Sequence, residues 1–268
     1  MSAADALTVA CLTDRGGRGD RSVLSRQLAG IATVEWFADA CALVSRAEAG
    51  GLSAIVTGLE DGSGHAIAPL LVALAARAPA TPTVVYAPVN GATVRKLLAT
   101  AAEGMRVEYA VRPHEPLAPV LRRVVRPSFR PGVAPLLLRR FAACAPAPLR
   151  VFVTIAAITA PSRRCAGEIA RWSGVTLRTI ERRLHRARWP GAHVVVQSFA
   201  ALDAAWLMME YGWSARLVRR ERALPHESSV TRLLARYCAS RPLTLREDGG
   251  FPAALEHVTR VLAPRHDP

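Results

Sequence analysis

Residues 165–189 read CAGEIARWSGVTLRTIERRLHRARW, and their spacing selects two short helices joined by a tight turn. Helices that cross closely need a small residue at the crossing, a turn residue four positions later and an apolar residue six beyond that. Ala170, Gly174 and Ile180 meet this spacing. Gly174 can take the left-handed conformation that ends a helix. Thr176 is suited to cap the second helix, its hydroxyl accepting from a free backbone N–H. On a 3.6-residue wheel Leu177, Ile180 and Leu184 share one face and are expected in the core. Arg178, Thr179, Arg182, His185 and Arg186 fall on the opposite face, with Arg183 on the flank. Eight arginines from 163 to 188 stand against Glu168 and Glu181, a local net charge of +6.

A helix of this kind suits the major groove of duplex DNA. Arginine can bond a guanine edge at two points, and further cations offset phosphates. The plainer alternative is an amphipathic core helix with a solvated arginine face. Charge distribution favours the first. The chain of 268 residues carries 35 Lys+Arg against 21 Asp+Glu, a net of +14. Residues 1–125 hold a net of only +1, and residues 126–268 hold +13. Lys96 is the single lysine against 34 arginines, as an arginine-rich genome would give; such a bias spreads evenly, whereas this excess is confined to the second half. With 51% hydrophobic and 21% charged residues the composition is globular, which excludes disordered and collagen-like classes.

Five cysteines (Cys11, Cys41, Cys144, Cys165 and Cys238) are odd in number and scattered, with no CxxC or Cys/His cluster. Neither a zinc site nor a secreted disulfide framework is expected, and reduced thiols in a cytoplasm are. The first residues lack the basic start and apolar core of a signal peptide, and no run of about 18 apolar residues suggests a membrane span.

The first half alternates between two patterns. Short β-rich runs occupy 7–12, 33–37, 53–57, 83–87 and 106–111, with Ala- and Leu-rich helical stretches at 22–30, 38–49, 66–78 and 92–102. A fifth helix is expected at 116–125. Strands alternating with helices imply a parallel sheet covered on both faces. Gly16-Gly17-Arg18-Gly19 could cradle a phosphate, but matches no phosphate-loop spacing and reads as a surface loop. His65 and His114 lie near no recognisable nucleophile and read as solvated loop residues.

That order and length resemble the receiver domain of bacterial response regulators. Asp14 closes the first strand where receivers hold magnesium, Leu59–Gly64 stands for the loop after the third strand, and Arg112-Pro113 stands at the receiver Lys-Pro position. The departures remove the chemistry. Thr57 or a neighbour takes the place of the phospho-accepting aspartate, Ala87 that of the switch hydroxyl and Arg112 that of the lysine. Phosphoryl transfer to a carboxylate needs both the carboxylate and a cation. The resemblance therefore implies a degenerate receiver, with signalling through an Asp14/Asp61 magnesium site as the rival.

Prolines 127, 131, 135, 146 and 148 mark residues 126–148 as a connector, with room for a short helix at 135–143. Beyond it no alternating strand pattern occurs, and residues 149–268 read as all helical, opening with a helix at 149–159. A long apolar helix at 193–211 leads to a second candidate pair in residues 214–242, SARLVRRERALPHESSVTRLLARYCASRP, and a tail helix is expected at 252–262. Trp172, Trp189, Trp206, Tyr211 and Trp213 read as helix-packing aromatics, as do Met208 and Met209 as core, and His226-Glu227 reads as a helix start.

The chain from about 149 to 246 resembles the AraC-type DNA-binding domain, in which a central helix joins two helix-turn-helix units. Residues 178–184 are similar to its first recognition helix and residues 228–234 to its second, with Arg232 on the family's arginine; Arg241-Pro242 and Arg246 match its terminal positions. The second unit departs from the pattern: Arg219 stands at the small crossing position, Ala223-Leu224 replaces Gly-Phe, and Val230, Cys238 and Ala239 are substitutions. An arginine at a crossing must reach outward or push the helices apart.

Together these readings imply an α/β receiver-like (flavodoxin-like) domain, residues 1–125, followed by an all-α AraC-like double helix-turn-helix domain, residues 149–268. The function implied is sequence-specific regulation of transcription in the cytoplasm, with double-stranded DNA as partner, no catalytic residues, no cofactor and no metal. The expected DNA-facing residues are Thr176, Arg178, Thr179, Arg182, Arg183 and Arg186, and by the family comparison Ser228, Ser229, Thr231 and Arg232. There is room for a homodimer through the receiver-like domain and for contact with the transcription machinery. The rivals are a helical module for an acidic protein partner and a small enzyme at the strand ends of the α/β half.

Overall fold

β-Branched and small apolar side chains dominate five short runs, and each is a strand: β1 (Leu7–Leu12), β2 (Ala32–Phe37), β3 (Ala54–Thr57), β4 (Thr83–Ala87) and β5 (Val107–Val111). The computed structural model describes residues 7–13, 18–101, 107–127, 129–162 and 164–263, so Asp14, the glycines at 16 and 17, and Arg106 lie outside the described residues. All pairings are parallel, in the order β2-β1-β3-β4-β5. The helices between them are α1 (Arg18–Leu28), α2 (Ala40–Glu48), α3 (Ala68–Arg77), α4 (Val94–Ala99) and α5 (Leu117–Val124).

Because side chains alternate along a strand, the sheet offers two apolar faces and needs cover on both. Val9, Cys11, Val56, Val84 and Tyr86 form one core cluster with Leu24 and Leu28 of α1 and Leu117, Leu121 and Val124 of α5. On the other face α4 is tied to β5 where the Tyr109 hydroxyl donates to the Thr100 carbonyl at 2.9 Å. β3, β4 and the edge strand β5 are buried throughout, whereas β2, the other edge, is mostly half-buried and its Glu35 pairs with Arg46 at 2.7 Å.

The chain divides between residues 131 and 132, inside the stretch expected to be a connector. The short helix expected at 135–143 is present, as part of the helical domain rather than of a connector. α6 (Ala134–Leu137) runs into a π-helical turn, Leu138–Ala142, and both pack on α7 (Ala147–Ile158). The prolines misled because of where they fall: Pro135 and Pro148 occupy first turns, and Pro146 is the N-cap of α7. A proline there costs no hydrogen bond, since its missing N–H would have no partner in the helix.

A 3-10 turn, Ala160–Ser162, precedes α8 (Ala166–Trp172), α9 (Leu177–Arg186), α10 (Ala192–Glu210), α11 (Ala215–Glu221), α12 (Glu227–Tyr237) and α13 (Gly250–Leu262). Among the described residues of this domain there is no strand. α10 is the hub, packing on α7, α8, α9, α11, α12 and α13. It is long and apolar enough to cross a membrane, but 72% of it is buried within the structure, the signature of a core helix. The two halves are thus a five-stranded parallel α/β domain and a helical domain.

Candidate functional site

α8 begins on a reciprocal cap. Cys165 Sγ accepts from the Glu168 N–H at 3.4 Å, and Glu168 Oε2 accepts from the Cys165 N–H at 3.0 Å. That backbone bond holds the Glu168 carboxyl below its ordinary pKa, against the opposing effect of burial. The helix ends as the sequence requires. Gly174 sits at φ +75°, its N–H donates to the Arg171 carbonyl at 3.0 Å, and the Val175 N–H donates to the Ala170 carbonyl at 3.2 Å. These two bonds are the Schellman pattern, which satisfies carbonyls that the helix leaves open.

Thr176 caps α9, its Oγ1 accepting from the Thr179 N–H at 3.2 Å and lying 3.0 Å from the Thr179 hydroxyl. Both threonines are therefore occupied in shaping the start of α9. Ile180 and Leu184 are buried as expected, but Leu177 is 38% exposed. As the first residue of α9 it precedes the turns that pack against α7 and α8. Arg183 is half-buried, and its Nη1 donates to the Pro148 carbonyl at 3.0 Å, which makes it a tie to α7. Arg178, Arg182 and Arg186 are exposed, one turn apart, and no described residue pairs with them.

The acids that should balance them are engaged elsewhere. Glu168 serves its own cap, with Arg164 at 3.7 Å, and Glu181 Oε1 accepts from the Ala192 N–H at 3.1 Å, capping α10. Arg164 also lies over the Trp172 ring at 5.3 Å, and Arg163 lies outside the described residues.

The second pair repeats this plan with other residues. Ser214 Oγ caps α11, accepting from the Leu217 N–H at 3.3 Å. At its end the Ala223 N–H donates to the Arg220 carbonyl at 3.3 Å and the Leu224 N–H to the Arg219 carbonyl at 2.9 Å, the same closure as in α8. Ala223 adopts φ +49° to make it, in the place where glycine is usual. His226 stands at the N-cap of α12 without a side-chain capping bond. Val230, Leu233, Leu234 and Tyr237 are buried, Ser228 and Arg232 are exposed, and Ser229 and Thr231 are half-buried. Arg219 is half-buried beside the fully buried Val218.

One residue pair of this unit was not expected from the sequence. Arg222 donates through Nε to Asp203 Oδ2 at 2.7 Å and through Nη2 to Oδ1 at 3.2 Å, with side chains 7% and 1% exposed. The pair fastens the end of α11 to the middle of α10, and Gly132 packs so closely that a Cβ there would lie 2.7 Å from Asp203 Oδ1. A lone aspartate inside the apolar run of α10 was the signal, since a carboxylate is almost never buried unpaired.

At the carboxyl ends of the strands, Thr13, Arg21, Trp36, Thr57, Tyr86 and Arg112 line a cleft of only about 10 Å³, space for one water. Thr57 and Ala87 end β3 and β4 and are buried. Asp61 is occupied with its own turn, Oδ1 accepting from the Ser63 and His65 N–H groups at 2.9 and 2.8 Å and Oδ2 lying 3.2 Å from His65 Nδ1. Burial opposes ionisation of Asp61, yet these bonds hold its pKa below the ordinary value. Burial likewise lowers the pKa of His114, and it pushes the thiols of Cys11 and Cys238 up to about 12. No three His, Cys, Asp or Glu side chains come together as a metal site among the described residues.

No protein-family model, curated protein or solved structure matches the chain.

Proposed function

We propose that this chain is a DNA-binding regulator of transcription acting in the cytoplasm, with a receiver-like α/β domain and an AraC-like helical domain. The observation that carries the reading is the stripe of Arg178, Arg182 and Arg186, exposed and unpaired on α9. In the α/β domain Arg46, Arg77, Lys96 and Arg123 are each matched to a carboxylate, and Arg95 and Arg122, exposed and unmatched among the described residues, stand on separate helices rather than in a stripe. On α9 the nearby glutamates cap helices instead, which leaves the stripe free for an external anion. In this reading α9 enters the major groove, Arg178 and Arg182 reach base edges, and Arg186 meets phosphate. Thr176 and Thr179 fix the start of the helix, Arg183 braces it against α7, and Ser228, Ser229, Thr231 and Arg232 bring the second unit to the same duplex.

The strand order β2-β1-β3-β4-β5 is that of flavodoxin-like sheets, which supports the receiver-like reading. With Thr57 at the end of β3 and Asp61 tied into its turn, regulation through this domain is independent of phosphorylation. The test is fluorescence anisotropy on genomic DNA fragments across a salt series. Affinity falls steeply as salt rises, and Arg178→Ala and Arg182→Ala each cost about 1–3 kcal/mol of binding. Negligible affinity at low salt, or affinity unchanged in both variants, overturns the reading.

A further inference from the structure

α10 and α12 enclose an open groove of about 240 Å³ between them. Its rim is His193 and Gln197 from α10 with Ser229, Arg232 and Arg236 from α12, and its floor is the apolar, buried Leu233 and the ring of Tyr237. Every polar side chain in it can donate a hydrogen bond, and none is a carboxylate. Arg232 and Arg236 stand one turn apart, neither paired with an acid among the described residues. The Arg236 guanidinium lies over the Tyr237 ring at 5.5 Å, and Arg232 Nε makes one long bond, 3.4 Å, to the Ser228 carbonyl. Glu181, the carboxylate at the start of α10, is held by the Ala192 N–H and is not part of the lining.

A concave, donor-rich and acid-free surface selects an anion, and its shape decides which part of a duplex it fits. Base edges lie at the bottom of a groove and are reached by a protruding helix such as α9. The sugar–phosphate backbone is a ridge, and a ridge fits a groove. We infer that the α10–α12 groove is a seat for the DNA backbone, with Arg232 and Arg236 on phosphate oxygens and His193 and Gln197 as additional donors. The inference rests on the DNA-binding reading and divides its labour: α9 reads sequence, while the second unit holds the strand without reading it.

The experiment compares a duplex selected from random sequence with a scrambled duplex of the same length, by anisotropy between about 50 and 200 mM salt. The double variant Arg232→Ala/Arg236→Ala weakens binding to both duplexes by the same factor and lowers the log–log salt slope by about 2, one for each lost phosphate contact. Arg232→Lys/Arg236→Lys restores the slope, because a phosphate accepts a point charge whereas a guanine edge needs the guanidinium fork. Arg182→Ala instead collapses the ratio between the two duplexes. The seat is overturned if the alanine pair changes that ratio, which places α12 on bases, or if affinity and slope stay as they were. If the unaltered chain binds neither duplex, the DNA reading falls and the seat with it; if it binds and only the alanine pair is silent, the seat alone falls. Both arginines are exposed, so the variants keep the fold, and a thermal melt checks this.

Discussion

The helix pairs α8–α9 and α11–α12 make the same turn with different means. Aligned on their N-caps, Thr176 and His226, they place Ile180 with Val230 and Leu184 with Leu234, all buried. The same alignment puts Arg182 with Arg232 and Arg186 with Arg236, all exposed. The first pair is locally consistent: a small residue at the crossing, a glycine in the left-handed position and a hydroxyl cap. The second has a half-buried arginine, an alanine at φ +49° and no side-chain cap on α12. Its turn closes nonetheless, through the same two backbone bonds. What it lacks in local preference is offset from outside, by Arg222 on Asp203. The geometry of such a turn is set by backbone hydrogen bonding, and a sequence can reach it through local residues or through a long-range tie.

Cutting that tie has the largest expected effect. Asp203→Ala leaves Arg222 buried without a partner and costs about 3–5 kcal/mol, measured by urea unfolding. The double replacement Asp203→Leu/Arg222→Met recovers most of that loss, because an apolar pair of similar volume carries no desolvation penalty. A cost for Asp203→Ala below about 1 kcal/mol would show that the second pair stands without the tie.

The turn residues offer a mirror experiment of smaller size. At Gly174 nothing lies within 4 Å of an added Cβ, so Gly174→Ala meets only the backbone penalty of the left-handed region. It destabilises by about 1 kcal/mol, whereas Ala223→Gly relieves the same strain and stabilises by a little less, since glycine costs entropy in the unfolded chain. Thermal melts of the two variants moving in the same direction would break the proposed equivalence of the turns.

The caps give the smallest effects. Thr176→Ala removes the bond to the Thr179 N–H and costs about 1 kcal/mol, while His226→Ser supplies a cap that α12 lacks and gains a few tenths to about 1 kcal/mol. Hydrogen exchange at the amides of the first turn of each helix reads both: protection falls at Thr179 in the first variant and rises at Ser229 in the second.

Much of this fold is legible along the chain. The five strands, the helices between them, the turn at Gly174 and the apolar wheel of Ile180 and Leu184 follow from periods of two and 3.6 residues and from caps. The misreadings share a cause. The proline-rich stretch before α7 reads as a breaker unless each proline is assigned to a first turn, and Leu177 reads as core because a wheel carries no information about where neighbouring helices stop. The stripe on α9 was readable as charge, but that its arginines stay unpaired was not.

The sequence by itself determined the α/β and helical halves, the position of the α8–α9 turn, and the concentration of positive charge in the second half. These depend on interactions within a few residues, where spacing fixes geometry. Tertiary structure alone decided which charges remain. It spends Arg183 on a carbonyl 35 residues away and Arg222 on a carboxylate 19 residues away, and it assembles the α10–α12 groove from two helices. The crossing of helices sets those partnerships, and no local period encodes it.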